Sequence, residues 1–156
     1  MDLTVDIEEY RLNVRTVGII IHDNKVLMHK NPNDSYYALV GGRVKVGEDS
    51  SQTVKREIME ELGKEVDILE PFAHIENFFE AKSHKYHEIM TAYKVEFVNE
   101  EDKKIINTMN CIEPGKKLKY EWLDIQKLDE FDIRPKLIKK AFKESTKPVY
   151  IINREI

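Results

Sequence analysis

Three glutamates in the middle of the chain, Glu57, Glu60 and Glu61, have the spacing of residues that share one face of a helix. Carboxylates held this close repel one another, and a bound cation would remove that repulsion. Clustered hard oxygen ligands favour Mg²⁺ or Mn²⁺ over softer metals. A glycine pair, Gly41 and Gly42, precedes the glutamates, and a divalent ion beside a glycine turn suits chemistry on phosphates.

The glutamates belong to a longer pattern of fixed spacings. This pattern resembles the signature of the Nudix family, which eight residues fill in register: Gly42, Glu48, Arg56, Glu57, Ile58, Glu60, Glu61 and Gly63. Lys64 stands where the family has an aliphatic residue. The preceding Tyr37-Ala-Leu-Val-Gly-Gly42 is similar to the family's Trp-x-Leu-Pro-Gly-Gly, with Val40 in place of the proline.

The resemblance implies both a fold and an activity. It implies an α/β fold of the Nudix type, an α/β/α sandwich with a mixed β-sheet, formed by residues 1–156 as a single domain with its signature at 42–64. It implies a pyrophosphohydrolase that cleaves a diphosphate bond in a nucleoside diphosphate derivative, with Mg²⁺ or Mn²⁺ as cofactor. Because no nucleophilic Ser or Cys is evident, we expect water to attack phosphorus.

The carboxylates and Arg56 are given separate roles. We expect Glu57, Glu60 and Glu61 to bind metal. We expect Arg56 to pair with these carboxylates and fix their rotamers, so its loss should harm activity. For Glu48 two roles stay open, a peripheral metal ligand or the partner of Arg56.

Three further predictions concern the reacting groups. Glu57 is the favoured general base, since a metal can acidify the water it deprotonates. Glu88, next to His87 at the start of a predicted strand, is the alternative base or an extra metal ligand, as in some family members. Arg43, with the backbone of Gly41 and Gly42, is expected to contact phosphate.

The substrate is less well defined by the sequence. The markers of ADP-ribose, dinucleoside polyphosphate and NADH hydrolases are absent downstream of the signature, which leaves nucleoside triphosphates and sugar or alcohol diphosphates. A nucleotide-sensing module that does not cleave its ligand and an RNA 5′-end pyrophosphohydrolase stay open as alternatives. An isoprenoid diphosphate isomerase would need a catalytic cysteine, and Cys111 lies in a predicted loop.

Composition narrows the class of protein and its partners. The chain has 156 residues, 41% hydrophobic and 35% charged, which fits one globular domain with a sizeable core. A net charge of -4 gives no overall signal for nucleic acid, although residues 103–147 hold twelve Lys and Arg against seven Asp and Glu. The expected partner is a small nucleotide, with no nucleic acid and no membrane; a homodimer stays open.

The cysteine content and the N-terminus bear on the compartment. The single cysteine, Cys111, cannot form an internal disulfide, which fits a reducing cytoplasm. The acidic start of the chain lacks the features of a signal peptide, and no apolar run is long enough to span a bilayer. His22, His29, His74 and His84 lack zinc-ligand spacing among themselves, so zinc is not expected.

Strands and two helices must position these residues. The predicted strands are residues 11–21, 26–30, 36–40, 66–81, 87–98, 118–123 and 149–152, with 11–30 as a hairpin and 99–117 as a loop. The first helix has Asp49 as N-cap, Gln52 completing a capping box, and Gly63 at its end. The second begins at Arg134-Pro135 and buries Leu137, Ile138, Ala141 and Phe142.

Overall fold

The helix that carries the three glutamates packs on one face of a ten-stranded mixed sheet in the computed structural model, which describes residues 1–156. The helices are α1 (Ser50–Leu62) and α2 (Lys139–Lys143). The strands are β1 (Thr4–Ile7), β2 (Tyr10–His22), β3 (Lys25–Lys30), β4 (Tyr37–Arg43), β5 (Val66–Ala81), β6 (His84–Phe97), β7 (Met109–Asn110), β8 (Lys119–Asp124), β9 (Ile133–Arg134) and β10 (Val149–Arg154).

The strand order is β10-β5-β6-β2-β4-β3-β8-β7, with β1 paired to β2 and β9 to β4. The β10/β5, β2/β6 and β4/β9 pairs are parallel and the others antiparallel. Helices cover both faces of this mixed sheet, so the predicted α/β fold of the Nudix type is confirmed. No helix has the length and apolar character that crossing a membrane requires.

The signature helix forms as its sequence predicts. The side chain of Asp49 accepts a hydrogen bond from the backbone N–H of Gln52, and the side chain of Gln52 accepts one from Asp49, which completes the capping box. Gly63 ends the helix in the left-handed region, with φ 67°. The apolar stripe of Val54, Ile58 and Leu62 is buried against the sheet.

The two faces of β2 lie in different environments because side chains alternate along a strand. A Cβ placed on Gly18 would lie 3.1 Å from side-chain atoms of Val54 and Ile58, so Gly18 faces α1. Odd-numbered β2 residues face the other way: Val17 packs in a second core cluster with Ile138 and Ala141. The sheet therefore separates the α1 side from the α2 side.

Two predicted elements differ in detail from the structure. A 3₁₀ turn, Lys136–Ile138, precedes the five-residue α2, and Leu137 is 37% exposed rather than buried. The change of pitch rotates Leu137 away from the core while Ile138 and Ala141 stay inside. The predicted loop at 99–117 contains a 3₁₀ turn at Asp102–Lys104 and the short β7.

The N-terminal strand β1 was not predicted, because its four residues, which alternate polar and apolar, are mostly exposed and carry little core signal. It pairs with the start of β2, and the residues before it run along the turn that follows β4. The backbone N–H of Leu3 donates to the carbonyl of Val44, and that of Val46 donates to Met1. The first residues of the chain therefore border the signature turn.

Candidate active site

The glycine pair at the end of β4 lets α1 approach the sheet closely. A Cβ on Gly42 would lie 2.3 Å from the carboxyl carbon of Glu57, and a Cβ on Gly41 would lie 2.1 Å from the carbonyl oxygen of Thr16. Neither glycine has a positive φ, whereas Gly47 in the following turn has φ 84°. Gly41 and Gly42 are thus required by close contact, and only Gly47 by backbone conformation.

Arg56 joins the turn to the helix through a network of ion pairs. Its guanidinium donates to Glu48 at 2.7 and 2.9 Å, to Glu57 at 2.9 Å and to Glu60 at 3.2 Å. It also donates to the carbonyl of Arg43 at 3.0 Å. One cation therefore holds three of the acidic side chains of the signature in place.

Glu48 lies in this network as the partner of Arg56, which is one of the two roles that its position predicted. Besides Arg56, it accepts hydrogen bonds from the hydroxyl of Thr53 at 2.7 Å and the backbone N–H of Lys45 at 3.2 Å. The hydrogen bonds from Arg56 are the main cause that lowers the pKa of Glu48 to about 2. Glu48 is therefore a fixed anion that orders the turn.

Glu61 is the most deeply buried of the helix carboxylates, with 1% of its surface exposed. Its Oε1 accepts a hydrogen bond from the hydroxyl of Tyr120 at 2.6 Å, while its Oε2 is buried without a partner. Burial raises the pKa of Glu61 to about 7. A buried carboxylate oxygen without a donor is the feature that a cation would satisfy.

Glu57 and Glu60 differ in exposure although both pair with Arg56. The side chain of Glu57 is 10% exposed, whereas that of Glu60 is 38% exposed. No three His, Cys, Asp or Glu side chains are arranged around one point as metal ligands. Arg56 holds Glu57 and Glu60, and Tyr120 holds Glu61, so a cation would compete with these donors for the carboxylate oxygens. The all-oxygen donors and the free Oε2 of Glu61 suit Mg²⁺ or Mn²⁺.

A polar cavity of about 590 Å³ contains these carboxylates. Only one of its fourteen lining residues, Leu118, is hydrophobic. Its charged side chains are evenly divided between five acids and five bases: Asp2, Glu57, Glu60, Glu61 and Glu113 against Arg15, Arg43, Lys45, Arg56 and Lys116. Carboxylates that suit a cation and cations that suit phosphate therefore face the same space.

The predicted phosphate contact, Arg43, lines this cavity together with Gly41 and Gly42. Its Nε is buried without a hydrogen-bond partner, and its only salt bridge is a 3.9 Å contact with Asp2. Its guanidinium is therefore free to bind an anion. Its carbonyl, which accepts from Arg56, ties it to the carboxylate network.

Glu88 does not join the other predicted residues. It is the fifth residue of β6, not a strand start, and it is 6% exposed. It lies opposite Asn13 of the neighbouring strand β2, on the sheet face away from α1, and it lines a different cavity. The roles of base or metal ligand beside Glu57 are thus not supported by its position. The face of Glu88 depends on the register with β2 and β5, which its neighbours in the sequence do not determine.

Several cavity residues were missed by sequence reasoning. Glu113 and Lys116, paired at 2.8 Å, come from the long segment predicted as a loop. Asp2 comes from the unpredicted N-terminal segment, and Arg15 from a strand whose pattern indicated only burial. The one signal that could have identified Arg15 is its charge within the β-rich segment 11–21.

Comparisons with known proteins identify the family. The model of the NUDIX domain matches residues 12–143, most of the chain, and the protein therefore belongs to the Nudix family of hydrolases. No curated protein sequence is a significant match.

Solved structures show the same fold at low identity. A MutT NUDIX hydrolase from Burkholderia pseudomallei is 20% identical with a TM-score of 0.62, covering 86% of this chain and 98% of that chain. The MutT protein from Bacillus halodurans is 22% identical with a TM-score of 0.57, covering 88% and 86%. A UDP-X diphosphatase is 15% identical with a TM-score of 0.59, covering 89% and 66%.

Proposed function

We propose that this protein is a metal-dependent enzyme that hydrolyses a diphosphate bond in a nucleoside diphosphate derivative by attack of water on phosphorus. The observation that carries the proposal is the polar cavity, where the carboxylates of α1 share the lining with Arg15 and Arg43, two cations that pair little with protein groups. Membership of the Nudix family supports the same chemistry.

The cations are proposed to bind the diphosphate. Arg15 lines the cavity and takes part in no salt bridge. Arg43 has an unpartnered Nε, and a guanidinium binds phosphate with two donors. Lys116 lies beside Glu113 at the edge of the same space. Together they would offset the negative charge that repels a nucleophile.

Glu57, Glu60 and Glu61 are the residues that would hold Mg²⁺ or Mn²⁺, with Glu113 close enough to Glu61 to influence its pKa. A bound divalent ion would neutralise phosphate oxygens and lower the pKa of a bound water. Glu57 is the proposed base, because it lies inside the cavity and Arg56 fixes its orientation. Arg56 acts as a positioning residue, since its donors are occupied by protein groups.

The substrate class is proposed as nucleoside triphosphates or nucleotide sugars. The sequence lacks the markers of ADP-ribose, dinucleoside polyphosphate and NADH hydrolases, so these substrate classes are left out of the proposal. A UDP-X diphosphatase is among the proteins of similar fold, which keeps nucleotide sugars in the set. The one cysteine, half-buried Cys111, fits a reducing compartment such as the cytoplasm.

The test is a panel of nucleoside triphosphates and nucleotide sugars assayed with Mg²⁺, with Mn²⁺ and with EDTA, in ¹⁸O-labelled water. We expect turnover only with metal, and ¹⁸O in a phosphate product. Label in the sugar or alcohol product would mean C–O cleavage and would overturn attack at phosphorus. Tight nucleotide binding with no turnover would identify a sensor module instead, and turnover restricted to RNA 5′ ends would identify the RNA enzyme.

A further inference from the structure

A second cavity, of about 470 Å³, lies on the sheet face away from α1 and shares Arg15 with the polar cavity. We call it the nucleoside cavity, and eight of its fifteen lining residues are hydrophobic. Val17, Leu39, Phe79 and Met90 form apolar walls, and Glu88 and Asn77 form a polar floor. Its volume and mixed lining are those of a small-molecule site.

The floor belongs to a row of polar residues that crosses five strands. In the register of the sheet, Thr4 of β1 is opposite Asn13 of β2, Asn13 is opposite Glu88 of β6, Glu88 is opposite Asn77 of β5, and Asn77 is opposite Asn153 of β10. Four of the five side chains are buried, Asn13, Asn77, Glu88 and Asn153, each with no more than 6% exposed. Burying so many polar groups is costly unless every one is hydrogen-bonded.

Hydrogen bonds along this row fix the direction of each amide. The backbone N–H of Leu137, which can only donate, bonds to Asn153 Oδ1 at 3.1 Å. Asn153 Nδ2 then donates to Asn77 Oδ1 at 2.8 Å, and Asn77 Nδ2 donates to Glu88 Oε1 at 3.4 Å. The carbonyl oxygens of both asparagines are thereby used, so their amino groups point along the row towards Glu88.

The other end of the row has the same polarity. The hydroxyl of Thr4 donates to Asn13 Oδ1 at 2.6 Å, and Asn13 Nδ2 donates to Glu88 Oε2 at 3.0 Å. Each oxygen of Glu88 therefore receives one amide donor from within the sheet. A carboxylate has about four acceptor sites, so about two stay available, and both can only accept.

We propose that the nucleoside cavity binds the base of the substrate, and that Glu88 selects a base with two adjacent N–H donors, the N1–H and N2–H₂ edge of guanine. Adenine and cytosine present one donor beside a ring acceptor, and uracil presents one donor between two carbonyl oxygens. Each of these would place an acceptor against an acceptor-only carboxylate. The proposal deepens the proposed function and rests on it, because it names the substrate of the same site.

Position and charge support a base at this point. Arg15 lines both cavities, so a diphosphate in the polar cavity and a base in the nucleoside cavity would lie on either side of one guanidinium. Arg134 lies over the ring of Tyr36 at 4.7 Å, and both line the cavity. A flat aromatic ring can pack on such a cation and on Phe79.

A vicinal sugar diol also offers two adjacent donors, and the experiment separates it from guanine. Equilibrium binding is measured by calorimetry for GMP, for IMP, which lacks only the 2-amino group, and for 2′,3′-dideoxy-GMP, which lacks the diol. We expect GMP to bind at least about tenfold more tightly than IMP, since a hydrogen bond to a charged group is lost. The dideoxy nucleotide should bind within about threefold of GMP. Equal affinity for GMP and IMP, or a loss confined to the dideoxy compound, would overturn the proposal.

Variants then assign the preference to Glu88. Glu88→Gln should reduce the GMP-to-IMP ratio to below about threefold, because an amide group now presents a donor. Glu76→Gln, which makes the same charge change on the other face of β5, should keep the ratio. If Glu88→Gln fails to fold, the comparison of GMP, IMP and the dideoxy compound in the unaltered protein decides the matter.

Binding and turnover fail separately in this design. Guanine selectivity in binding without hydrolysis of any nucleotide would retain the cavity assignment and remove the proposed function. Hydrolysis of GTP and ITP with equal kcat/KM, together with equal binding of GMP and IMP, would retain the proposed function and remove the cavity assignment.

Discussion

Gly42 lies directly against the carboxylate of Glu57: a methyl group at Gly42 would come within 2.3 Å of the carboxyl carbon and 2.5 and 2.6 Å of its two oxygens. The glycine at the start of the signature and the glutamate fifteen positions later are therefore two sides of one contact. Because Glu57 is buried and held by Arg56, it has little room to move away.

Replacement of Gly42 by alanine should displace Glu57. We expect Gly42→Ala to lower kcat by about 10² or more, since a catalytic group shifted by about 1 Å can cost that factor. The matched control is Gly18→Ala, whose new methyl group would meet side chains of the α1 core at 3.1 Å and should lower stability without disturbing Glu57. Normal kcat in Gly42→Ala would show that the carboxylate is not held for catalysis.

The second prediction concerns Arg56 and its fork of donors. Arg56→Lys keeps the charge but cannot bond to Glu48, Glu57 and the carbonyl of Arg43 together. We expect the free energy of unfolding to fall by about 1–3 kcal/mol and kcat to fall at least tenfold. Urea unfolding and steady-state kinetics measure the two effects. Lys55→Arg, a change at the exposed neighbour, should alter neither.

Some of this site could be predicted from the sequence because its residues are close in the chain. The spacing of Glu57, Glu60 and Glu61 places them on one helix face. Arg56 is adjacent to Glu57 and four residues before Glu60, so its contacts with both are local. The capping box and the glycine end of α1 are equally local signals, and both are present in the structure. For these residues, knowledge of tertiary structure adds distances but does not change the prediction.

The remainder depends on contacts between distant segments. Glu88 was predicted as an alternative base or extra metal ligand because some family members place a glutamate at a similar strand start, but strand pairing places it between Asn13 and Asn77. A shift of one residue in a strand moves a side chain to the opposite face, so the face of Glu88 could not be read without the register. Glu113 reaches the polar cavity through a segment with no periodic pattern.

Removal of metal or of one ligand should abolish turnover while the fold survives. EDTA should eliminate activity, and added Mg²⁺ or Mn²⁺ should restore it. Glu60→Gln should lose about 10² or more in kcat, because the charge near the metal is removed. Glu60 is partly exposed and makes only the 3.2 Å contact with Arg56, so the free energy of unfolding should change by less than about 1 kcal/mol. An unfolded Glu60→Gln protein would indicate a structural role instead.

The last prediction concerns His29, at the wall of the polar cavity. Burial, followed by the charge of Arg15, lowers the pKa of His29 from 6.5 to about 4, and its Nδ1 has no hydrogen-bond partner. The folded protein therefore binds this proton less readily than the unfolded chain does. The stability that neutral His29 provides is complete above about pH 6.5 and is lost progressively as the pH falls towards 4. Since His29 is partly exposed, we expect a loss of about 1–3 kcal/mol.

His29→Phe should remove this pH dependence, because the phenyl ring can keep the edge contact that the imidazole makes with Tyr120 at a centroid distance of 5.3 Å. The measurement is the free energy of unfolding in urea, for metal-free protein, between pH 7.5 and 5. Glu48 titrates below this window, because its pKa is lowered to about 2. Protonation of Glu61, whose pKa is raised to about 7, increases the free energy of unfolding as the pH falls. Both proteins share that increase, so it cancels in their difference.

We expect the unaltered protein to lose stability relative to His29→Phe on acidification. His22→Phe, a histidine packed on Trp122 outside the cavity, serves as the control and should behave like the unaltered protein. Parallel pH curves for the unaltered protein and His29→Phe would mean that His29 is protonated as easily in the folded chain as in the unfolded one.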